Sequence, residues 1–155
     1  MITLGCDPGL TGGVSAVDQY GQVLFCEAMP ISRGQVDTVD VKELRHLLDG
    51  RSIDSMFAYV ERAQSMPQQG ISSAFNYGTS FGTLLGALAA FGIGYQLVPA
   101  SVWKRKLGLM AGSDKAASIG LARQHYPKLT FKKGEHGLAE SLLIARWGWE
   151  KDRAK

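Results

Sequence analysis

Only two of the 155 residues are cysteine, five are proline and three are histidine. Two thiols do not make the disulfide framework of a small secreted domain. Cys6 and Cys26 both lie inside apolar runs (ITLGC and VLFC), so a buried, reduced pair in a reducing compartment is expected. With so few Cys and His, and neither cysteine partnered at ligand spacing, the sequence suits zinc poorly. Long hydrophobic runs are also missing. The longest, Leu84 to Ile93, is interrupted by Gly86 and Gly92 and falls short of the ~20 residues that a membrane-spanning helix needs. The opening MITLGCDPGL has neither a basic stretch nor a cleavable apolar segment, so no export signal is expected.

At 45% hydrophobic and 20% charged residues, the composition is that of a globular domain and excludes a disordered or collagen-like chain. The charge is unevenly placed. Residues 1–100 carry five Lys and Arg against nine acids, whereas residues 101–155 carry twelve against five. A basic third joined to an acidic body suits a polyanion track beside a site that holds a cation, or simply a solvated basic C-terminal helix.

Hydrophobic patterning predicts strands at Ile2–Asp7, Gly13–Asp18, Gln22–Ala28, Met56–Glu61 and Gly94–Val98. Helices are predicted at Asp40–Leu48 with Asp40 as N-cap, at Ser72–Phe91, at Asp114–His125 and at Leu138–Trp149. With no linker or repeat, residues 1–150 read as a single α/β domain, a five-stranded mixed sheet with helices on both faces, and 151–155 as a short charged tail. The Ser72–Phe91 helix carries Gly78, Gly82 and Gly86 on one stripe. Each costs roughly 1 kcal/mol in a helix interior, so close approach of another backbone is expected, either the sheet beneath or the same helix of a second copy.

Asp7 and Glu61 end apolar strands, where an acid is unusual unless a cation or hydrogen-bond donors hold it. Asp7 also suits the turn before Pro8-Gly9, and Glu61 a pairing with Arg62. Far along the chain, His136 and Glu140 share one face at the start of the last helix, with Glu135 just before them. Such separated acids suit oxygen ligation of Mg²⁺ or Mn²⁺ and the two-metal hydrolysis of phosphodiesters.

Three blocks then carry a resemblance. Ile2-Thr3-Leu4-Gly5-Cys6-Asp7-Pro8-Gly9 with Thr11-Gly12-Gly13 resembles the first strand of the RuvC-like Holliday junction resolvases. Val60-Glu61-Arg62, Met66-Pro67-Gln68-Gln69-Gly70, the residues Ser73, Phe75, Gly78, Gly82 and Gly86, and Pro99-Ala100-Ser101-Val102-Trp103-Lys104 resemble the phage and organellar branch of that family. Gly134-Glu135-His136-Gly137-Leu138-Ala139-Glu140 and the residues after it resemble its closing helix. The match runs in order from Met1 to about Gly148.

The resemblance implies an RNase H-like fold. It also implies a homodimeric, Mg²⁺- or Mn²⁺-dependent endonuclease that nicks four-way DNA junctions symmetrically, without a small-molecule cofactor or a membrane. The compartment implied is the cytoplasm of a bacterial or phage-infected cell, or an organelle. Asp7, Glu61 and Glu140 match the family's metal-binding acids, with His136 or Glu135 as a fourth ligand. Glu140 stands where bacterial members usually have Asp, which adds one methylene, about a bond length. Lys115, Lys132 and Lys133, and the cluster Lys104, Arg105 and Lys106 beside Trp103, are the expected phosphate contacts. Met66 and Phe75 either wedge into an opened junction or pack the helix start. Rival expectations are an RNase H-fold nuclease acting on other branched DNA or on structured RNA, similar to the YqgF group, and a catalytically weak junction-binding module.

Overall fold

The computed structural model describes residues 1–63, 70–110 and 115–154. The chain begins with three strands, β1 (Ile2–Asp7), β2 (Gly13–Val17) and β3 (Val23–Ala28), joined in antiparallel succession. A two-residue pair, β4 (Ile31–Ser32) and β5 (Thr38–Val39), forms a small separate hairpin that the sequence patterning does not reveal. Helix α1 (Val41–Leu48) follows, and the Asp40 side chain accepts the Glu43 N–H at 3.0 Å, as expected of an N-cap. Then come β6 (Met56–Glu61), α2 (Ile71–Ala90), β7 (Gly94–Val98), α3 (Ala100–Lys106), α4 (Lys115–His125) and α5 (His136–Arg153).

The main sheet has the order β3-β2-β1-β6-β7, so the first strand is its centre. β1 and β6 run parallel, as do β6 and β7, which makes the sheet mixed. Alternation sorts its side chains. Leu4, Cys6, Ala58 and Val60 enter one core with Leu44 and Leu48 of α1 and Leu84 and Leu88 of α2. Tyr59 and Val98 point the other way, into a core with Trp103, Ile119, Ala122, Leu142 and Trp147 from α3, α4 and α5. Helices therefore cover both faces, as the patterning predicts.

Gly5 lets α5 lie directly on β1. A Cβ there would sit 2.1 Å from the Ser141 carbonyl oxygen and 2.2 Å from the Ala145 nitrogen. At the far end of α5, the Tyr59 hydroxyl donates to the Asp152 carboxylate at 2.8 Å. Residues 151–153, expected as the start of a tail, are thus the last turn of a helix tied to the sheet. The glycine stripe of α2 corrects an expectation. A Cβ at Gly78, Gly82 or Gly86 would meet nothing within 4 Å, so the stripe faces outward and does not pack on the sheet. Both cysteines are free thiols, Cys6 buried and Cys26 partly so. Burial pushes Cys6 up to about 12 and Cys26 up to about 11, so both stay protonated. Among the described residues, no helix is long and apolar enough to cross a membrane.

Candidate active site

The site follows from the register of the two central parallel strands. Cys6 pairs with Val60, so Asp7 and Glu61 are the next residues on neighbouring strands, at one edge of the sheet. Because side chains alternate, both acids belong to the face that α5 covers. α5 brings Glu140 to the same edge, with Gly137 against the turn that follows β1. A Cβ at Gly137 would lie 2.3 Å from the Thr11 carbonyl oxygen and 3.0 Å from Asp7 Oδ2. Glycine there keeps α5 close and leaves that carboxylate oxygen clear.

Each acid is held on one named oxygen. Asp7 Oδ1 accepts the Gly9 N–H at 3.2 Å, closing the turn that Pro8-Gly9 makes. Glu61 Oε2 accepts the indole N–H of Trp103 at 2.8 Å. Glu140 Oε1 accepts the Ser118 hydroxyl at 2.8 Å and lies 2.8 Å from the Lys104 ammonium. Among the described residues, Asp7 Oδ2, Glu61 Oε1 and Glu140 Oε2 receive no such donor.

Burial and mutual repulsion set the electrostatics. Asp7 is pushed up to about 7, first by burial and then by the Glu61 charge, with Glu140 adding to it. The Gly9 N–H and the Lys104 charge oppose that rise. Glu61 is also raised, by burial and by Glu140, against the Trp103 hydrogen bond and Lys104. Tyr77 of α2 is raised as well, by burial and then by Asp7, Glu61 and Glu140, which places its ring in the field of all three acids. Among the described residues, no three His, Cys, Asp or Glu side chains already form a metal-holding cage. The donor chemistry nonetheless fits a hard divalent cation: carboxylate oxygens, crowded enough to resist ionisation, that a cation would relieve.

The other expected residues divide by place. Glu135 precedes α5, and its Oε2 accepts the Lys132 N–H at 2.7 Å. His136 lines a recess of about 600 Å³ with Lys115, Arg123, Lys132 and Lys133. Lys104 turns into the acid cluster, its ammonium 5.1 Å from the centre of the Trp103 ring. Arg105 and Lys106 instead border a recess of about 750 Å³ with Trp147, Glu150 and Lys151. Phe75 stands 64% exposed on α2, so it does not pack the helix start. Met66 lies outside the described residues.

Sequence reasoning missed three contributors to the cluster: Tyr77, Ser118 and the indole of Trp103. Trp103 reads from sequence as an aromatic beside basic residues, yet it is fully buried. A serine within the buried stripe Ser118, Ile119 and Ala122 of α4 was a usable signal, since a buried hydroxyl needs a partner.

No protein-family model matches the chain. A chloroplastic Holliday junction resolvase MOC1 of Chlamydomonas reinhardtii is 35% identical over 96 residues, which is 60% of this chain. Those residues amount to 11% of that protein's length. Among solved structures, T. thermophilus RuvC in complex with a Holliday junction substrate matches with a TM-score of 0.68 and 20% identity, covering 99% of this chain and 96% of that one. A second Thermus thermophilus RuvC structure matches at 0.60 and 19% identity, covering 99% and 97%. From strand order to the covering helices, the chain has the RNase H-like fold of RuvC.

Proposed function

We propose that the protein is a metal-dependent endodeoxyribonuclease that resolves four-way DNA junctions by hydrolysing two opposed strands. The observation that carries this reading is the meeting of Asp7, Glu61 and Glu140, from three separate elements, at one edge of a RuvC-type sheet. The named activity of the Chlamydomonas relative supports the choice of substrate.

Asp7, Glu61 and Glu140 would hold Mg²⁺ or Mn²⁺ through the oxygens left without a donor. A fourth ligand would come from His136 or from Glu135, whose Oε2 accepts the Lys132 N–H and which, like the three acids, keeps its other oxygen. When bound, the ions would supply an activated water and charge stabilisation at the leaving oxygen, in the two-metal manner. The chain's own residues do the rest. The recess of Lys115, Lys132 and Lys133 offers cations to the phosphate backbone on the α4 and α5 side, and Arg105 and Lys106 do so along α3. Lys104 shields Glu140 and balances the cluster.

A homodimer belongs to the same reading, because two opposed cuts need two sites. α2 suits its interface. Its twenty residues contain no charged side chain, its glycine stripe is open, and Ile71 and Phe75 are exposed on its first turns. The compartment proposed is a bacterial or phage-infected cytoplasm, or an organelle, as the chloroplastic relative suggests.

The test is incubation with a labelled four-way junction, a matched linear duplex and a structured RNA, each with Mg²⁺, Mn²⁺ or EDTA. Metal-dependent nicking of the junction alone is expected. Tight binding without nicks would favour a binding module, and preference for the RNA would replace DNA as substrate.

A further inference from the structure

Helix α3 is only seven residues long, yet two consecutive side chains on it each hold a different acid of the cluster. Lys104 lies against Glu140 and Trp103 donates to Glu61. The two contacts differ in kind. The Lys104 side chain is 31% exposed and carries its ammonium on a flexible stem. The indole is a rigid plane, fully buried in the core cluster that also holds Val98, Ile119, Phe131 and Leu143.

A buried indole N–H must find an acceptor, and any backbone carbonyl nearby would serve. Here it is spent on a carboxylate at 2.8 Å, the length of a charge-assisted hydrogen bond. The bond sits on Oε2 alone. With the ring unable to move, rotation of the Glu61 carboxylate about its last torsion breaks the bond, so Oε1 is presented in one orientation. Ser118 acts on Glu140 Oε1 and the Gly9 N–H on Asp7 Oδ1 in the same sense. Trp103 is the bulkiest of these three donors, and its ring is fully buried.

We propose that Trp103 is the positioning residue for Glu61: its buried indole N–H fixes one carboxylate oxygen so that Glu61 offers a single, pre-aimed oxygen to a divalent cation. The inference rests on the reading of the three acids as a cation site and adds a residue to it. Outer partners that orient a ligand typically change metal affinity by about 10–100-fold when removed. Trp103→Phe keeps the ring in the core and deletes only the donor and some volume.

The test uses the full chain and the metal alone. Mn²⁺ binding, read by the loss of the free-ion paramagnetic signal, should weaken at least about tenfold in Trp103→Phe. A variant with unchanged Mn²⁺ affinity overturns the proposal. If wild-type protein binds no Mn²⁺, the cation site fails, and this inference falls with it. A second measurement needs no variant that must fold. In ¹⁵N-labelled wild-type protein, the Trp103 indole N–H should exchange slowly with solvent and stay slow when Mg²⁺ saturates the site. Rapid exchange on adding Mg²⁺ would show that Glu61 lets go of the indole to give both oxygens to the ion, and would overturn the proposal.

Discussion

A carboxylate at the end of an apolar strand resists ionisation unless donors or a cation answer its charge, and Asp7 shows both sides of that balance. Its pKa is raised to about 7, above the ordinary 3.8, so the folded state holds the proton that the unfolded chain releases earlier. Stability from this group is therefore full below about pH 4 and is lost as pH rises toward 7. Asp7→Asn should flatten that decline and melt higher than wild type at pH 8 in EDTA, as measured by thermal unfolding; equal melting curves at that pH would refute the electrostatic account. In the proposed function the same substitution, like Glu61→Gln, removes a cation ligand. Each is expected to lower junction nicking by about a thousand-fold or more, the scale of several kcal/mol of charge stabilisation, while gel-shift affinity for the junction stays near wild type.

At the scale of elements, the site depends on how closely α5 lies on β1. Gly5 has no room for a methyl group, with backbone atoms of α5 at 2.1 and 2.2 Å from where a Cβ would be. Gly5→Ala should cost at least about 1–3 kcal/mol in urea unfolding, since the helix itself must shift. A neutral result would mean that α5 is not clamped as described. The α2 stripe behaves oppositely. A side chain at Gly82 meets no neighbour within 4 Å, so Gly82→Glu should leave the melting temperature of an isolated copy unharmed. Sedimentation should then show loss of the proposed dimer; a dimer that persists would move the interface elsewhere.

Five strands and four of the helices were legible in the sequence because burial imposes periods of two and 3.6, whereas Asp7 and Glu61 stood out as acids ending apolar strands and Glu140 by its helix face and the resemblance of the closing helix. Helix α3 was not, since seven residues behind a proline hardly complete a pattern. The direction of the glycine stripe was hidden for a different reason: glycine carries no hydropathy to say which way it faces. Trp103 misleads because its role is set by Glu61, forty-two positions away, rather than by the lysine beside it.

Across the whole molecule, the acidic first hundred residues supply two of the clustered acids, and the basic last third supplies Glu140, the Lys104 beside it and the cations of a separate recess. Lys115, Lys132 and Lys133 border one recess and Arg105, Lys106 and Lys151 another, so the cations are grouped at two separate places. Binding through such contacts releases counterions from the DNA. Junction affinity should fall by about 10³-fold or more between 50 and 200 mM salt if six or more phosphates are engaged. A flat salt profile would exclude a backbone-reading surface. The most direct measurement of the central claim is to map the nicks on a four-way junction labelled in turn on each of its four strands, with Mg²⁺ and with EDTA. Paired cuts at symmetric positions on two opposing strands, present only with Mg²⁺, are the predicted result. Cuts that persist in EDTA, or that fall equally on the linear duplex, would contradict it.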